Sequence, residues 1–174
     1  MRTAGIYSSP DTDKYSGMKR PAVMRVVGID PGIGGACVLL ENVQPIEWAR
    51  MPVMAVGVKS RINAAALAAL LRDWRPDLAV IELVGAMPGQ GVSAMFSFGH
   101  AAGVAEGVIA ALDIPVCHIT PQAWKKRARL LGKDKDAARA AAIARWPTWR
   151  ALDKKGEGQA LADAALMALV GGDL

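Results

Sequence analysis

Residues 26–40 read VVGIDPGIGGACVLL, and this stretch predicts how the fold begins. VVGID is a short β-branched run and ACVLL is a second one, so we expect two strands joined by a glycine-rich turn. Asp30 ends the first strand. Gly32, Gly34 and Gly35 permit a tight turn after it and let the backbone approach a phosphate closely. No GK[ST] follows, so this is not a Walker A loop, but a nucleotide phosphate stays a rival ligand.

Three further strands are predicted downstream of this hairpin. PIEWARM at 45–51 continues an antiparallel meander. LAVIELV at 78–84 is too short and too rich in β-branched residues for a helix, and IPVCHI at 114–119 is a fifth strand.

Helical spacing of Ala and Leu predicts helices between and after these strands. They cover 63–74, 92–112, two or three basic segments after 119, and a last helix at about 159–169. The order is β-β-β-α-β-α-β-α-α-α. It predicts an α/β fold with a five-stranded mixed sheet, three antiparallel strands and then parallel strands, flanked by helices.

The chain length and composition indicate one intracellular domain. Residues 1–24 are polar and without periodicity, so we expect a disordered leader followed by one folded domain at 25–174. No stretch approaches the roughly 18 uninterrupted apolar residues of a membrane span, and the start lacks the apolar centre of a secretory signal. Cys37 and Cys117 are predicted to be reduced core residues. We expect a cytoplasmic protein with no membrane partner.

Positive charge is concentrated in one part of the chain. Residues 125–155 hold eleven Lys and Arg against three Asp, a net +8, while the whole chain has a net charge of +5 and the remainder is therefore −3. This polarity suits a polyanionic partner. A solvated helical face would have the same composition, so charge alone leaves both interpretations open.

Three carboxylates stand where core-facing side chains are expected. Asp30 and Glu82 end predicted strands, and Asp163 is embedded in the apolar helix ALADAALMALV. Desolvating a carboxylate is costly, so three such placements are best explained by one shared divalent-metal site. Mg²⁺ prefers oxygen ligands, and two such ions about 3.5–4 Å apart can hydrolyse a phosphodiester.

Four motifs together resemble one family. VVGIDPGIGGACVLL at 26–40 resembles the first hairpin of RuvC-type Holliday-junction resolvases. PDLAVIELV at 76–84 is similar to their fourth strand, and SFGHAAGVAEGVIAALDIPVCHITPQAWKK at 97–126 is similar to the next helix, strand and basic turn, particularly in phage and prophage members. LADAALMAL at 161–169 resembles the closing helix. The likeness covers about 25–170.

This resemblance implies a ribonuclease-H-like fold, a homodimer and an endonuclease that makes paired symmetric nicks in four-way DNA junctions. It implies Mg²⁺, with Mn²⁺ as a substitute, one or two ions per subunit, held by Asp30, Glu82 and Asp163. Lys125 and Lys135 fall where the family keeps lysines near the scissile phosphate, so Lys135 is assigned to catalysis. We expect a bacterial or phage-encoded protein. The residues expected to bind DNA phosphates are Lys125, Lys126, Arg127, Arg129 and Lys133.

The sequence departs from the family at the fourth metal ligand. The family usually places an acid or a His one helical turn before the last Asp, but here Ala160 and Gln159 stand three and four residues before Asp163. Two candidates remain open, and Glu157 is placed ahead of Gln159 because a full negative charge holds a hard cation better than an amide oxygen. Glu157 serves if the helix begins later or is irregular, and Gln159 serves through a neutral oxygen.

A second departure concerns an aromatic residue that stacks on an unpaired base in bacterial members. This chain has Gly85 at that position, and Met87, Phe96 or Phe98 are the possible replacements. We expect Phe96 and Phe98 to be core or dimer contacts instead.

The remaining aromatic and small residues are predicted to have structural roles. Trp124, Trp146 and Trp149 are expected to be packing residues, and His100 and His118 to be structural. The helix at 92–112 is the candidate dimer interface, and packing of its small residues against the protein's own sheet is the alternative. Those small residues are Gly99, Ala102, Gly103 and Gly107.

We therefore expect a structure-selective DNA endonuclease. Three alternatives stay open: a ribonuclease-H-like nuclease acting on another branched or hybrid substrate, a catalytically impaired junction-binding protein, and an actin-like ATPase. The last is the weakest, because that fold needs two such domains and a much longer chain.

Overall fold

We describe the chain from a computed structural model that covers residues 23–83, 85, 89–134 and 136–172. Most of the predicted leader therefore lies outside the described residues, as do Met87 and Lys135.

The described residues form seven strands and five α-helices. The strands are β1 (Arg25–Ile29), β2 (Ala36–Glu41), β3 (Gln44–Arg50), β4 (Val53–Val56), β5 (Lys59–Ile62), β6 (Leu78–Glu82) and β7 (Val116–Ile119). The helices are α1 (Ala64–Trp74), α2 (Val92–Ala111), α3 (Pro121–Arg127), α4 (Ala137–Arg145) and α5 (Lys155–Gly171), with a short 3-10 helix at Arg150–Leu152 before α5.

The main sheet has five strands in the order β3-β2-β1-β6-β7. β1 pairs antiparallel with β2, which pairs antiparallel with β3, whereas β6 pairs parallel with both β1 and β7. This mixed sheet confirms the predicted fold class. It also brings the carboxyl ends of β1 and β6 to the same edge.

Helices cover both faces of the sheet. One apolar cluster joins α1 and α2 to one face, and a second joins α3, α4 and α5 to the other. The α5 helix lies so close to β1 that a Cβ added at Gly28 would be 1.9 Å from the carbonyl oxygen of Ala164. Only glycine permits this approach. It fixes α5, and Asp163 with it, against the central strand.

One element of the structure was not predicted from the sequence. The β4–β5 hairpin forms a separate two-stranded sheet where no strand was predicted. All four residues of β4 are exposed, so the alternation of apolar and polar residues that reveals a half-buried strand is missing there. Backbone hydrogen bonds pair the two strands, which turn at Gly57 with a φ of +59°, and Ile62 at the end of β5 is buried in the apolar cluster of α1 and α2.

The last helix begins earlier than predicted. Its first residue is Lys155 rather than about Gln159, although two glycines lie in its first turn. Gly158 packs so tightly that an added Cβ would be 2.6 Å from the carbonyl oxygen of Leu152. Tertiary contact therefore begins the helix at a segment of low helix propensity.

The second helix, α2, has an open glycine face. Its inner side is buried at Ala101, Ala105 and Ile109. A Cβ added at Gly99, Gly103 or Gly107 would meet no heavy atom within 4 Å, so these glycines do not pack on the protein's own sheet.

By length and composition alone, α2 is also apolar enough to cross a membrane.

Candidate functional site

Two of the three predicted acids lie side by side at the edge of the sheet. Asp30 directly follows β1 and Glu82 is the last residue of β6. The parallel register pairs Ile29 with Ile81, so the two acids leave adjacent strands at the same level. The third acid reaches this edge from α5, since its neighbour Ala164 packs on Gly28.

The electrostatics of these acids indicate that they influence one another. Burial raises the pKa of Asp30, and the negative charge of Glu82 raises it further, against a lowering hydrogen bond from Gly32. Burial also raises the pKa of Asp163 to about 6; a hydrogen bond from Gln159 and the charge of Lys125 oppose the shift, and the charges of Asp30 and Glu82 add to it. Three acids that repel one another in a partly buried space form a site suited to a cation.

Each acid accepts a hydrogen bond from a different part of the chain. The backbone N–H of Gly32 donates to Asp30 Oδ1 at 3.3 Å, the indole N–H of Trp124 donates to Glu82 Oε1 at 2.8 Å, and the amide of Gln159 donates to Asp163 Oδ1 at 3.0 Å. Within the described residues, no three His, Cys, Asp or Glu groups converge closely enough to surround a metal ion.

One neutral side chain has the properties of a further ligand. Gln159 lies one helical turn before Asp163, and its Oε1 is the single buried side-chain N or O atom without a hydrogen-bond partner among the described residues. A buried carbonyl oxygen without a donor is costly, so it needs an explanation. Carboxylate and amide oxygens are the donors that a hard divalent cation prefers, and this set of side chains therefore fits Mg²⁺.

The other candidate, Glu157, is engaged elsewhere. Its carboxylate forms ion pairs with Arg50 at 3.6 Å and with Lys154 at 3.7 Å. Its predicted role as a metal ligand required a helix that begins later or is irregular, whereas α5 begins at Lys155. Six residues before Asp163 on a regular helix, Glu157 projects from a different side.

The α3 helix carries basic residues next to the three acids. Thr120 directly follows β7 and caps α3, because its side chain accepts from the backbone N–H of Ala123 at 3.2 Å. The basic residues stand in the last turn of this helix. The ammonium group of Lys125 lies 5.4 Å from the ring of Trp124 and lowers the pKa of Asp163. The five predicted phosphate-binding residues are all exposed: Lys125, Lys126, Arg127, Arg129 and Lys133. The predicted catalytic Lys135 lies outside the described residues.

Trp124 was predicted to be a partly buried anchor, with stacking on DNA as the alternative, and its exposure of 1% confirms that it is buried. Sequence reasoning missed its hydrogen bond to Glu82. A signal was present, because a buried tryptophan usually needs an acceptor for its N–H, but no local pattern identifies which acceptor.

The predictions for the two phenylalanines and for the other two tryptophans have different outcomes. Phe96 is 64% exposed, so of the two roles predicted for it the core is excluded and the dimer contact stays a prediction. Its ring lies 5.8 Å from the guanidinium of Arg61. Phe98 lies near the glycine turn, with Cε2 3.9 Å from a Cβ added at Gly32. Trp146 and Trp149 pack edge to face at 5.9 Å, as predicted.

The two histidines and the two cysteines have other surroundings, although the charge of Asp30 reaches Cys37. His118 pairs with Glu106 at 3.3 Å, and His100 lies beside Phe96. Cys37 and Cys117 are buried and unpaired, which confirms that they are core thiols. Burial raises the pKa of Cys37 to about 12.

The sheet order, together with acids at the ends of adjacent parallel strands, defines a ribonuclease-H-like domain. Solved structures narrow this class. The chain is similar to Thermus thermophilus RuvC, at 19% identity over 82% of this chain and 92% of that chain, with a TM-score of 0.53. It is also similar to the same protein in complex with a Holliday-junction substrate, at 20% identity over 84% and 92%, with a TM-score of 0.57. The chain has the RuvC-type resolvase fold. No protein-family model and no curated protein matches the sequence.

Proposed function

We propose that this chain is a metal-dependent endonuclease that resolves four-way DNA junctions by paired, symmetric phosphodiester hydrolysis. The observation that carries the proposal is the grouping of Asp30, Glu82 and Asp163, from three different elements, beside the exposed basic end of α3. A nuclease needs both features, because the acids bind cations and the basic residues bind the phosphates that the cations act on.

The three acids and Gln159 would hold Mg²⁺, or Mn²⁺ as a substitute, with one or two ions per subunit. Divalent ions at such a site activate water and stabilise the leaving oxygen of a phosphodiester. The neutral Gln159 gives this site one negative charge fewer than a set of four acids. The orphan oxygen of Gln159 supports its inclusion, since a cation would satisfy it.

The basic residues have two different tasks in this proposal. Lys125 is close enough to Asp163 to lower its pKa, so it lies near the reacting phosphate and can offset negative charge that develops there. We assign the same task to Lys135 from the family resemblance. Lys126, Arg127, Arg129 and Lys133 are exposed and bind flanking phosphates, which positions the DNA without reading its sequence.

A four-way junction is favoured over other substrates by the fold. The solved complex of Thermus thermophilus RuvC contains a Holliday-junction substrate, and this chain covers 92% of that protein. Symmetric nicking requires two sites related by a two-fold axis, which a homodimer provides. The open glycine face of α2 supports a dimer through that helix, because two helices can approach closely there. We propose that the protein is cytoplasmic.

One experiment tests the proposal directly. The chain is incubated in Mg²⁺ with a labelled four-way junction, a linear duplex and an RNA–DNA hybrid of the same sequence, and the nicks are mapped. We expect paired nicks at symmetric positions in the junction only, and none with Asp30→Asn. Cleavage of the hybrid would indicate a different ribonuclease-H-like nuclease, and junction binding without nicks would indicate an impaired junction-binding protein.

A further inference from the structure

Trp124 connects the acidic and the basic parts of the site. Its ring is almost fully buried, in the apolar cluster formed by α3, α4 and α5. Its N–H donates to Glu82 Oε1 at 2.8 Å, and the ammonium of Lys125 lies 5.4 Å from its ring centre. One side chain therefore contacts both the second acid and a lysine whose charge acts on the third acid.

A second buried tryptophan shows that these contacts are not required by burial alone. Trp146 is 3% exposed and belongs to the same apolar cluster. Its indole N–H donates to the backbone carbonyl of Val43 at 3.0 Å, which satisfies the donor without any charged group. The indole N–H of Trp124 instead donates to the carboxylate of Glu82, which belongs to the candidate site. A buried indole N–H needs an acceptor, but the acceptor need not be one of the three acids.

The bond restricts the carboxylate of Glu82. A glutamate at the end of a strand has three rotatable side-chain torsions, and the last of them is broad. The indole N–H is held rigidly by a buried ring, so it fixes Oε1 and limits rotation of the carboxylate. The ring face attracts the Lys125 ammonium at the same time, because a cation is drawn to the negative face of an aromatic ring.

We propose that Trp124 is a positioning residue that holds the Glu82 carboxylate and the Lys125 ammonium in a fixed relation, and so prepares the site for its cation. The inference rests on the proposed function, since it assigns Glu82 to the metal site. Groups that hydrogen-bond to a metal ligand orient it, and their loss typically weakens metal binding by about 10- to 100-fold.

The test compares Trp124→Phe with Trp146→Phe. Each change removes one buried indole N–H from the same apolar cluster, so the two variants should lose similar thermal stability without metal. Binding of Mn²⁺ is then measured by isothermal titration calorimetry. We expect Trp124→Phe to bind Mn²⁺ about tenfold more weakly than wild type, and Trp146→Phe to bind it normally. Equal Mn²⁺ affinity of the two variants would overturn the inference.

The wild-type chain separates this inference from the proposed function. If it binds no Mn²⁺, or if Glu82→Gln leaves its affinity unchanged, the assignment of the metal site fails and the inference fails with it. If wild-type binding depends on Glu82 but not on Trp124, only the inference fails.

A spectroscopic measurement covers the case in which Trp124→Phe does not fold. In the ¹⁵N-labelled wild type, the indole N–H signal of Trp124 is the one that Glu82→Gln displaces. We expect this signal to move as Mg²⁺ is added, while the signal assigned by Trp146→Phe stays in place. A Trp124 signal that is insensitive to Mg²⁺ would overturn the inference.

Discussion

On α5 the side-chain amide of Gln159 lies 3.0 Å from Oδ1 of Asp163, one helical turn away. Gln159 stands one turn before Asp163, where the sequence departs from the resolvase family that it resembles. The amide donates through Nε2 and leaves Oε1 buried and without a partner. A carbonyl oxygen held beside an acid in this way can turn toward a cation with only a rotation of the amide group. Where the resemblance implies an acid or a His one turn before Asp163, this chain therefore has a neutral amide oxygen.

Gln159 and Glu157 are therefore distinguishable by mutation. We expect Gln159→Leu to raise the Mg²⁺ concentration needed for half-maximal cleavage by about tenfold, because it removes an oxygen next to Asp163. Glu157→Gln should change it less than about twofold, because that carboxylate pairs with Arg50 and Lys154 at an exposed position. A Mg²⁺ titration of cleavage measures both, and the opposite order would assign the ligand to Glu157.

The three acids are expected to act as one unit. Asp30→Asn should reduce junction cleavage by more than about 100-fold while junction binding in a gel-shift assay stays intact or tightens, because repulsion of the phosphates falls. Glu82→Gln and Asp163→Asn should behave alike, and double variants should lose little more than single ones. Cleavage by Asp30→Asn within a few-fold of wild type would remove Asp30 from the site.

The raised pKa of Asp163, about 6, predicts a stability effect in the metal-free protein. The folded chain binds this proton more tightly than the unfolded chain, so the stabilisation is full below the unfolded pKa and is lost as the pH rises through 6. Asp163→Asn should therefore raise the free energy of unfolding by about 1–2 kcal/mol at about pH 8 in EDTA, and by much less at about pH 4. Urea denaturation at both pH values measures this. A variant less stable than wild type at the higher pH would contradict it.

The exposed basic residues are expected to bind DNA through counterion release. Lys126→Gln should weaken junction binding by a similar factor for all sequences and lower the slope of log K against log salt by about 1. Arg72→Gln is the control, because it makes the same charge change at an exposed position of α1, on the opposite face of the sheet. Fluorescence anisotropy across a salt series measures the slopes. Equal slopes for the two variants would place the DNA elsewhere.

The open glycine face of α2 predicts the state of assembly. Light scattering at micromolar concentration should give the mass of a dimer of the 18.3 kDa chain without DNA. Gly103→Leu should disrupt it, because added side chains would separate the helices, whereas Ala144→Leu on the exposed side of α4 should not. A monomer mass for the wild type would leave only dimerisation on the junction, and a dimeric Gly103→Leu would move the interface.

Local pattern was sufficient for most of the fold. The strand that ends at Asp30, the strand that ends at Glu82 and the apolar helix around Asp163 were all predicted from runs of residues with a clear period, because burial of one side imposes that period. All of β4 is exposed and only Ile62 of β5 is buried, so the β4–β5 hairpin left no such signal. The early start of α5 depends on the packing of Gly158 against Leu152, which lies outside any local rule.

The sequence by itself determined the class of fold and the three acids, since a carboxylate in an apolar run is conspicuous wherever the chain folds. Only the tertiary structure decided what each acid contacts. It paired Glu82 with Trp124, 42 residues further along the chain, and it separated Glu157 from Asp163 while keeping Gln159 beside it. These are choices of direction and distance among side chains. The Glu82–Trp124 contact follows from how the sheet and α3 pack together, and no spacing along the chain encodes it. The Gln159–Asp163 contact follows from their spacing of one helical turn once α5 is known to extend from Lys155.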